Sequence, residues 1–402
     1  MKRATSKQQH DTVYQAAESL VTRIFNDVVQ ESCVVFVGAG STTERSKRDE
    51  GFYATIKKKA AFPESDSEPS FPKLMEYFCD KLDGGHHNRL IREAISYFER
   101  FSLPGEENRS ATMVSALLAE IPYFNRFVTT NWDPFIEREL DVLVPVVEDR
   151  DLAFWDDKKR QVLKIHGCIT RPYSIVATQA DYDNCMTQNP LIFNKLKDLM
   201  ATKTFLFIGY SMRDEDFREV WDTITRLLGR FGKLAYAVDP NLTAEAAGFW
   251  RDCGIELFKT SDITFIRCLR EKLEKEGLVP TRRFLDFLHC QRRRIVSFHV
   301  KLNQSSNGGV VSAMYQDGLL HELDDVLSSI VLGTKRKEDY ETDLSQTARI
   351  VKQAWAADNF IETAYWSGRR EVLERFCDRD DSTIPPFFHP SRMVPIAKFV
   401  KG

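Results

Sequence analysis

No two of the eight cysteines in this 402-residue sequence are spaced C-x-x-C. That absence removes zinc ribbons and thioredoxin-like redox pairs from consideration. The cysteines stand at 33, 79, 168, 185, 253, 268, 290 and 377, several in apolar settings such as "SCVVFV" and "EYFCDKL". There a thiol behaves as a small hydrophobe, and no metal site is expected. Long apolar runs are missing too. Nothing approaches the roughly 18–20 residues of a membrane span, and "MKRATSKQQHD" lacks the apolar core of a secretory signal. A reducing cytoplasm is the expected compartment, with no membrane partner. Charge of one sign is also scarce. A formal net charge of −3 gives no electrostatic case for nucleic acid or an anionic membrane, and "QRRR" at 291–294 reads as an ion-paired helix face. No G-x-x-x-x-G-K-[ST] sequence occurs, so a P-loop NTPase is disfavoured.

What is present is a regular alternation. An amphipathic stretch at 12–30 precedes short apolar runs at 33–38, 126–130, 142–147, 161–167, 174–178, 204–209, 233–239 and 255–258. Continuous apolar runs suit strands buried on both faces of a parallel sheet. Helix-like stretches at 108–120, 133–140, 190–201, 214–230 and 243–252 separate them, which argues for a doubly wound, Rossmann-like α/β domain. Residues 44–70, charged and then rich in serine and proline, read as a loop or excursion beside the first strand, and lysines 57–59 as its solvated surface. After 280 the strand signals fade and helical periodicity takes over. The expected layout is a catalytic domain over 1–280, with the insertion at 44–70, and a helical region over 281–402 for assembly or partner contact.

The first strand runs into "GAGST", residues Gly38, Ala39, Gly40, Ser41 and Thr42. Glycines there let backbone N–H groups approach a pyrophosphate, with a following helix presenting its positive end. A tight turn also uses glycine for steric reasons alone. The third glycine of a G-x-G-x-x-G fingerprint is replaced by Thr43, which disfavours a hydride-transferring dehydrogenase. The second strand breaks abruptly in "FVTTNWDP" (127–134). Asp133 before Pro134 reads as an N-cap for a helix, and that leaves Asn131 unexplained.

Three further stretches, "TTNWD" (129–133), "KIHG" (164–167) and "GYSMRDEDF" (209–217), follow "GAGST" in order. Over roughly 30–260 these motifs together resemble the sirtuin family of NAD-dependent enzymes, most closely its bacterial antiphage-defence branch. The resemblance implies that the glycine loop binds the NAD pyrophosphate. It matches Thr129, Asn131 and Asp133 to the T-Q-N-x-D motif, with Thr130 in the Gln position. It places the catalytic histidine on His166 and ribose or phosphate contacts on Gly209, Tyr210 and Ser211. Asp239 or Asn241, in "VDPN", falls where the family contacts the adenosine half. The two C-x-x-C pairs of sirtuin deacylases are absent, as is their loop after G-A-G, so a peptide deacylase is the weaker alternative. The implied activity is an NAD+ glycohydrolase giving nicotinamide and ADP-ribose, or a cyclised product, that depletes NAD in antiviral defence. A sensor that binds NAD or ADP-ribose without turnover is the alternative of another class. No extra sensor segment of useful size stands beside these two regions, so control by assembly is expected. That means a homo-oligomer, with a HerA-type hexameric ATPase as the partner the resemblance suggests.

The chemistry fits those residue types. Nicotinamide leaves the ribose as a neutral molecule, so no carboxylic acid has to protonate it, unlike most glycosides. Asn131 can hold a ribose hydroxyl and a water without adding charge. His166, with an ordinary pKa near ~6.5, can accept a proton near neutral pH.

Overall fold

A computed structural model describes residues 2–42, 51–63, 68–101, 106–210, 215–241, 243–279, 310–332, 337–357 and 359–377. The chain divides into two compact units, 1–269 and 270–402.

Six parallel strands form the first unit's sheet: β1 (Cys33–Val37), β2 (Arg126–Thr129), β3 (Gln161–Lys164), β4 (Thr204–Ile208), β5 (Ala235–Val238) and β6 (Glu256–Phe258). Their order is β3-β2-β1-β4-β5-β6. The chain therefore reverses direction of winding between β1 and β4, the switch point of a doubly wound sheet. Every residue of β1 to β5 is buried, as the unbroken apolar runs require. One face packs Phe36, Val128, Leu163, Phe205 and Phe207 against Phe193, Leu196, Trp221 and Trp250. The last partners in register are Val37 with Thr129 and with Ile208, and Thr129 with Lys164. The carboxyl ends of four strands thus lie level.

The helices are α1 (Lys2–Val29), α2 (Phe52–Lys59), α3 (Phe71–Asp83), α4 (Asn88–Glu99), α5 (Glu106–Ala119), α6 (Phe135–Glu139), α7 (Gln179–Gln188), α8 (Pro190–Thr202), α9 (Glu215–Leu228), α10 (Ala244–Asp252) and α11 (Asp262–Lys275). Four of them, α2 to α5, lie between β1 and β2 in the chain. Of the two readings of 44–70, loop or excursion, α2 takes the second: Phe52 and Ile56, one turn apart, are buried in a helix. Its lysines are on the outside, with Lys57 3.6 Å from Glu68 and Lys59 paired with Glu93. Trp132, inside "TTNWD", packs edge-on against Phe52 and Phe71, each at 5.7 Å. This indole ties the helical excursion to the loop after β2.

Two expected strands are not formed. Within 142–147 only Val146 makes a bridge, to Leu163, since Pro145 has no N–H to continue a ladder. Residues 174–178 emerge from a short 3-10 turn, Pro172–Ser174, and then run extended without strand partners.

The second unit contains α12 (Val310–Leu332), α13 (Lys337–Ala356) and α14 (Phe360–Cys377). A Cβ on Gly318 would lie 1.9 Å from the Tyr365 carbonyl oxygen, and one on Gly368 2.2 Å from that of Tyr315. These two glycines let α12 and α14 touch backbone to backbone. Arg369 Nε donates to the buried Glu322 across the same pair at 2.6 Å. Residues 280–309 and the tail from 378, parts of the helical region expected after 280, lie outside the described residues. Among the described residues no helix is long and apolar enough to cross a membrane, and no group of acids, histidines and cysteines could hold a metal ion.

Candidate functional site

Asn131 and His166 each stand two residues beyond the paired ends of adjacent parallel strands, Thr129 and Lys164. The Ile165 N–H donates to the Thr129 carbonyl at 3.1 Å and closes that last pair. Asn131 and His166 therefore each follow the end of one of two neighbouring strands, which run ~4.8 Å apart. Thr129 Oγ1 donates to the Val37 carbonyl (2.7 Å) and accepts from the Asn131 N–H (2.9 Å). This one hydroxyl pins the exit of β2 to that of β1.

"GAGST" is a three-residue 3-10 turn, Ala39–Ser41. The glycines meet a steric demand here. A Cβ on Gly38 or Gly40 would lie 2.4 or 2.8 Å from the Gly209 carbonyl oxygen. Their N–H groups are used within the protein: Gly38 donates to Ile208, Gly40 to Gly209, Ser41 to Gly38 and Thr42 to Ala39. Gly209 itself sits at φ +63°, and a Cβ there would lie 2.1 Å from Ser41 Oγ and 2.3 Å from Ser41 N. Gly209→Ala combines a left-handed backbone with that overlap, so it should cost about 3 kcal/mol or more. Thermal unfolding reads this out, and an unchanged midpoint would refute the close approach. Ser41 is fully buried, and its Oγ has no hydrogen-bond partner among the described residues. Tyr210 packs its ring 4.3 Å from that of Phe36, which anchors the exit of β4 over β1. Ser211 lies outside the described residues.

Thr42, Asn131 and Asp133 meet in one buried cluster. Asn131 Nδ2 donates to Thr42 Oγ1, and Thr42 Oγ1 donates to Asp133 Oδ2, both at 3.2 Å. Asp133 does not take the N-cap position expected of it. Pro134 occupies that place, and Asp133 Oδ1 instead accepts from the Phe135 N–H at 3.2 Å. The proline has no N–H, so the first donor available to the carboxylate is the one after it.

Lys164 went unnoticed in the sequence, because a lysine ending a strand ordinarily reads as surface. It is fully buried. Its Nζ reaches Glu137 Oε1 at 3.0 Å and donates to the Asp133 carbonyl at 2.5 Å. Burial pulls its ammonium down, but Glu137, Cys168 and Asp133 more than offset that, so the group stays above its ordinary value. Burial likewise pushes the Asp133 carboxyl up to about 6. Lys164 opposes the rise and Glu137 adds to it, while the Phe135 N–H and Thr42 hydroxyl pull it back.

The sign follows from proton binding. Between about pH 4 and 6 folded Asp133 keeps a proton that the unfolded chain releases, so stability falls as pH rises through that window. For this one group the loss is on the order of 3 kcal/mol. Other carboxylates titrate there too, so the informative quantity is the difference from Asp133→Asn. Urea unfolding from pH 4 to pH 7 should show wild type losing about that much relative to the variant. A flat difference would contradict it.

His166 is buried, with its ring 4.8 Å from that of Tyr182 and its Nδ1 3.4 Å from the tyrosine hydroxyl. Its carbonyl accepts from the Val176 N–H at 3.1 Å. Gly167, at φ +84°, has no room for a Cβ, which would lie 2.1 Å from the Ser174 carbonyl oxygen. Asp239 directly follows β5 and accepts from the Asn241 N–H at 2.8 Å. These two candidates for the adenosine half therefore share one turn, four strands along the edge from His166. A cavity of about 800 Å³ opens between the start of α4 and residues 172–176. Val176 lines it, whereas Asn131 and His166 do not.

The first unit is thus a Rossmann-like α/β domain with polar residues gathered at the carboxyl ends of its strands. Comparison with known proteins agrees. The family model of the SIR2-like domain matches residues 125–258. Among curated relatives, the NAD(+) hydrolase ThsA of Cytobacillus dafuensis is 28% identical over 232 residues, covering 54% of this chain and 43% of that protein. ThsA of Bacillus cereus (strain MSX-D12) is 24% identical over 207 residues, covering 49% and 40%. Defense-associated sirtuin 2 of Bacillus subtilis is 28% identical over 107 residues, covering 25% and 10%. The chain spans less than half the length of these relatives. The α/β unit is similar to SIR2-like domains over residues 125–258.

Proposed function

We propose that this protein is an NAD+ glycohydrolase of antiphage defence, cleaving NAD+ into nicotinamide and ADP-ribose. The observation that carries the reading is that Asn131 and His166 each stand two residues past the paired ends of neighbouring strands. Names of curated relatives support it. The edge from β3 to β5 spans four strand spacings, ~19 Å, room for a two-headed nucleotide laid across the switch point.

In the reaction the C1'–N bond breaks with its electron pair going to the pyridinium, and nicotinamide departs neutral. Water oxygen bonds to C1' of the oxocarbenium-like sugar, and its proton passes to His166 and then to solvent. Asn131 holds the ribose hydroxyl or the water in line. The residues present can do this without a metal ligand set or an acid for the leaving group. The test is nicotinamide release from NAD+ by wild type, Asn131→Ala and His166→Ala. Binding without any turnover by wild type would replace this reading with that of a sensor.

Control is part of the proposal, because unrestrained NAD+ cleavage harms its own host. Assembly into a homo-oligomer, with a HerA-type hexameric ATPase as partner, is supported by the family resemblance. Native mass measurement with and without such an ATPase checks it. A monomer under both conditions speaks against it.

A further inference from the structure

We propose that Thr42, held by Asp133 with Lys164 behind it, fixes the direction of the Asn131 carboxamide so that its oxygen is presented to a ribose hydroxyl or water. The inference rests on the NAD+-cleavage reading and assigns Thr42 and Asp133 as positioning residues. Each is only 2% exposed.

The reasoning is a count of protons. A threonine hydroxyl has one proton and two lone pairs. Two acceptors face that proton, Asp133 Oδ2 at 3.2 Å and the Ala39 carbonyl at 3.4 Å. The carboxylate is nearer and charged, and charge-assisted bonds are the stronger ones. Whichever acceptor takes the proton, Thr42 has none for Asn131 and can only accept from it. The contact at 3.2 Å must therefore be made by Asn131 Nδ2. Rotating the amide by half a turn would set its oxygen against the Thr42 oxygen, two acceptors face to face. The backbone offers no escape, since the Asn131 N–H is tied to Thr129.

Asp133 can play its part only if its own position is fixed. Lys164 Nζ holds the Asp133 carbonyl, Glu137 holds Lys164, and the Phe135 N–H holds Asp133 Oδ1. The set runs from β3 through the start of α6 to the turn after β1. A carboxamide presenting oxygen accepts from a hydroxyl donor, which matches a ribose hydroxyl or an attacking water.

A double-mutant cycle on the full chain tests this. Thr42→Val keeps the shape and removes the hydroxyl, and kcat for nicotinamide release should fall about 100-fold with little change in KM. Thr42→Ser should restore most of it. If Thr42 acts through Asn131, Thr42→Val in an Asn131→Ala background should slow the enzyme no further. Additive losses, or a raised KM with kcat intact, would overturn the assignment. Absence of turnover in wild type would strike the glycohydrolase reading alone. The relay would then be judged by ¹⁵N NMR of the Asn131 side chain. One amide proton protected from exchange in wild type and released in Thr42→Val supports the relay, and equal exchange in both refutes it.

Discussion

Lys164→Met is expected to destabilise the α/β unit by about 3–5 kcal/mol, the cost of breaking a buried ion pair from one side. The ammonium lies between the Glu137 carboxylate and the Asp133 carbonyl, and all three residues are buried. Methionine fills similar space but leaves Glu137 charged or forces it to take up a proton. Either outcome is costly away from water. Replacing both partners by apolar residues should recover much of the loss, because a buried pair contributes little against a hydrophobic isostere. Urea unfolding of Lys164→Met and of Lys164→Met/Glu137→Leu distinguishes the cases. A single variant within about 1 kcal/mol of wild type would show that the pair is not carrying charge.

The largest effect on activity is expected at Asn131 and His166. Either alanine substitution should lower kcat for nicotinamide release by about 10²–10⁴, the range for losing a positioned proton acceptor or an orienting group. KM for NAD+ should change far less, since these groups act where charge develops on the sugar. His166→Ala also removes a ring that packs on Tyr182, so His166→Gln is the fairer control for packing. Stopped or single-turnover kinetics with each purified variant decides the matter. Retention of wild-type turnover by either would remove that residue from the site.

Most of the sheet was legible in the sequence, and the reason is local. A strand buried on both faces must be apolar at every position, and "CVVFV" or "TFLFI" admits little else. "VLVPVV" has the same composition, but one proline and a single bridge at Val146 keep it out of the ladder. The helices between β1 and β2 were harder to see. In α2 the buried Phe52 and Ile56 stand among lysines and beside a stretch of serines and prolines. Motif order located Asn131, Asp133 and His166, since each follows a strand directly. Tyr182, Glu137 and Lys164 carry no such mark. Their roles come from contacts across 16 to 31 residues of chain, which no local pattern records. Glycine spacing was visible, and its steric reading holds: the Gly38 and Gly40 N–H groups bond within the protein, and the missing side chains make room for Gly209.

The bridge at Val146 has one more effect. Its N–H donates to the Val162 carbonyl and its carbonyl accepts from the Lys164 N–H, both at 2.8 Å. These are two of the outward-facing backbone groups of β3, and both are occupied by the protein's own chain. A strand arriving at that margin would have to displace Val146 to pair with them, so the bridge works against lengthening of the sheet by another molecule.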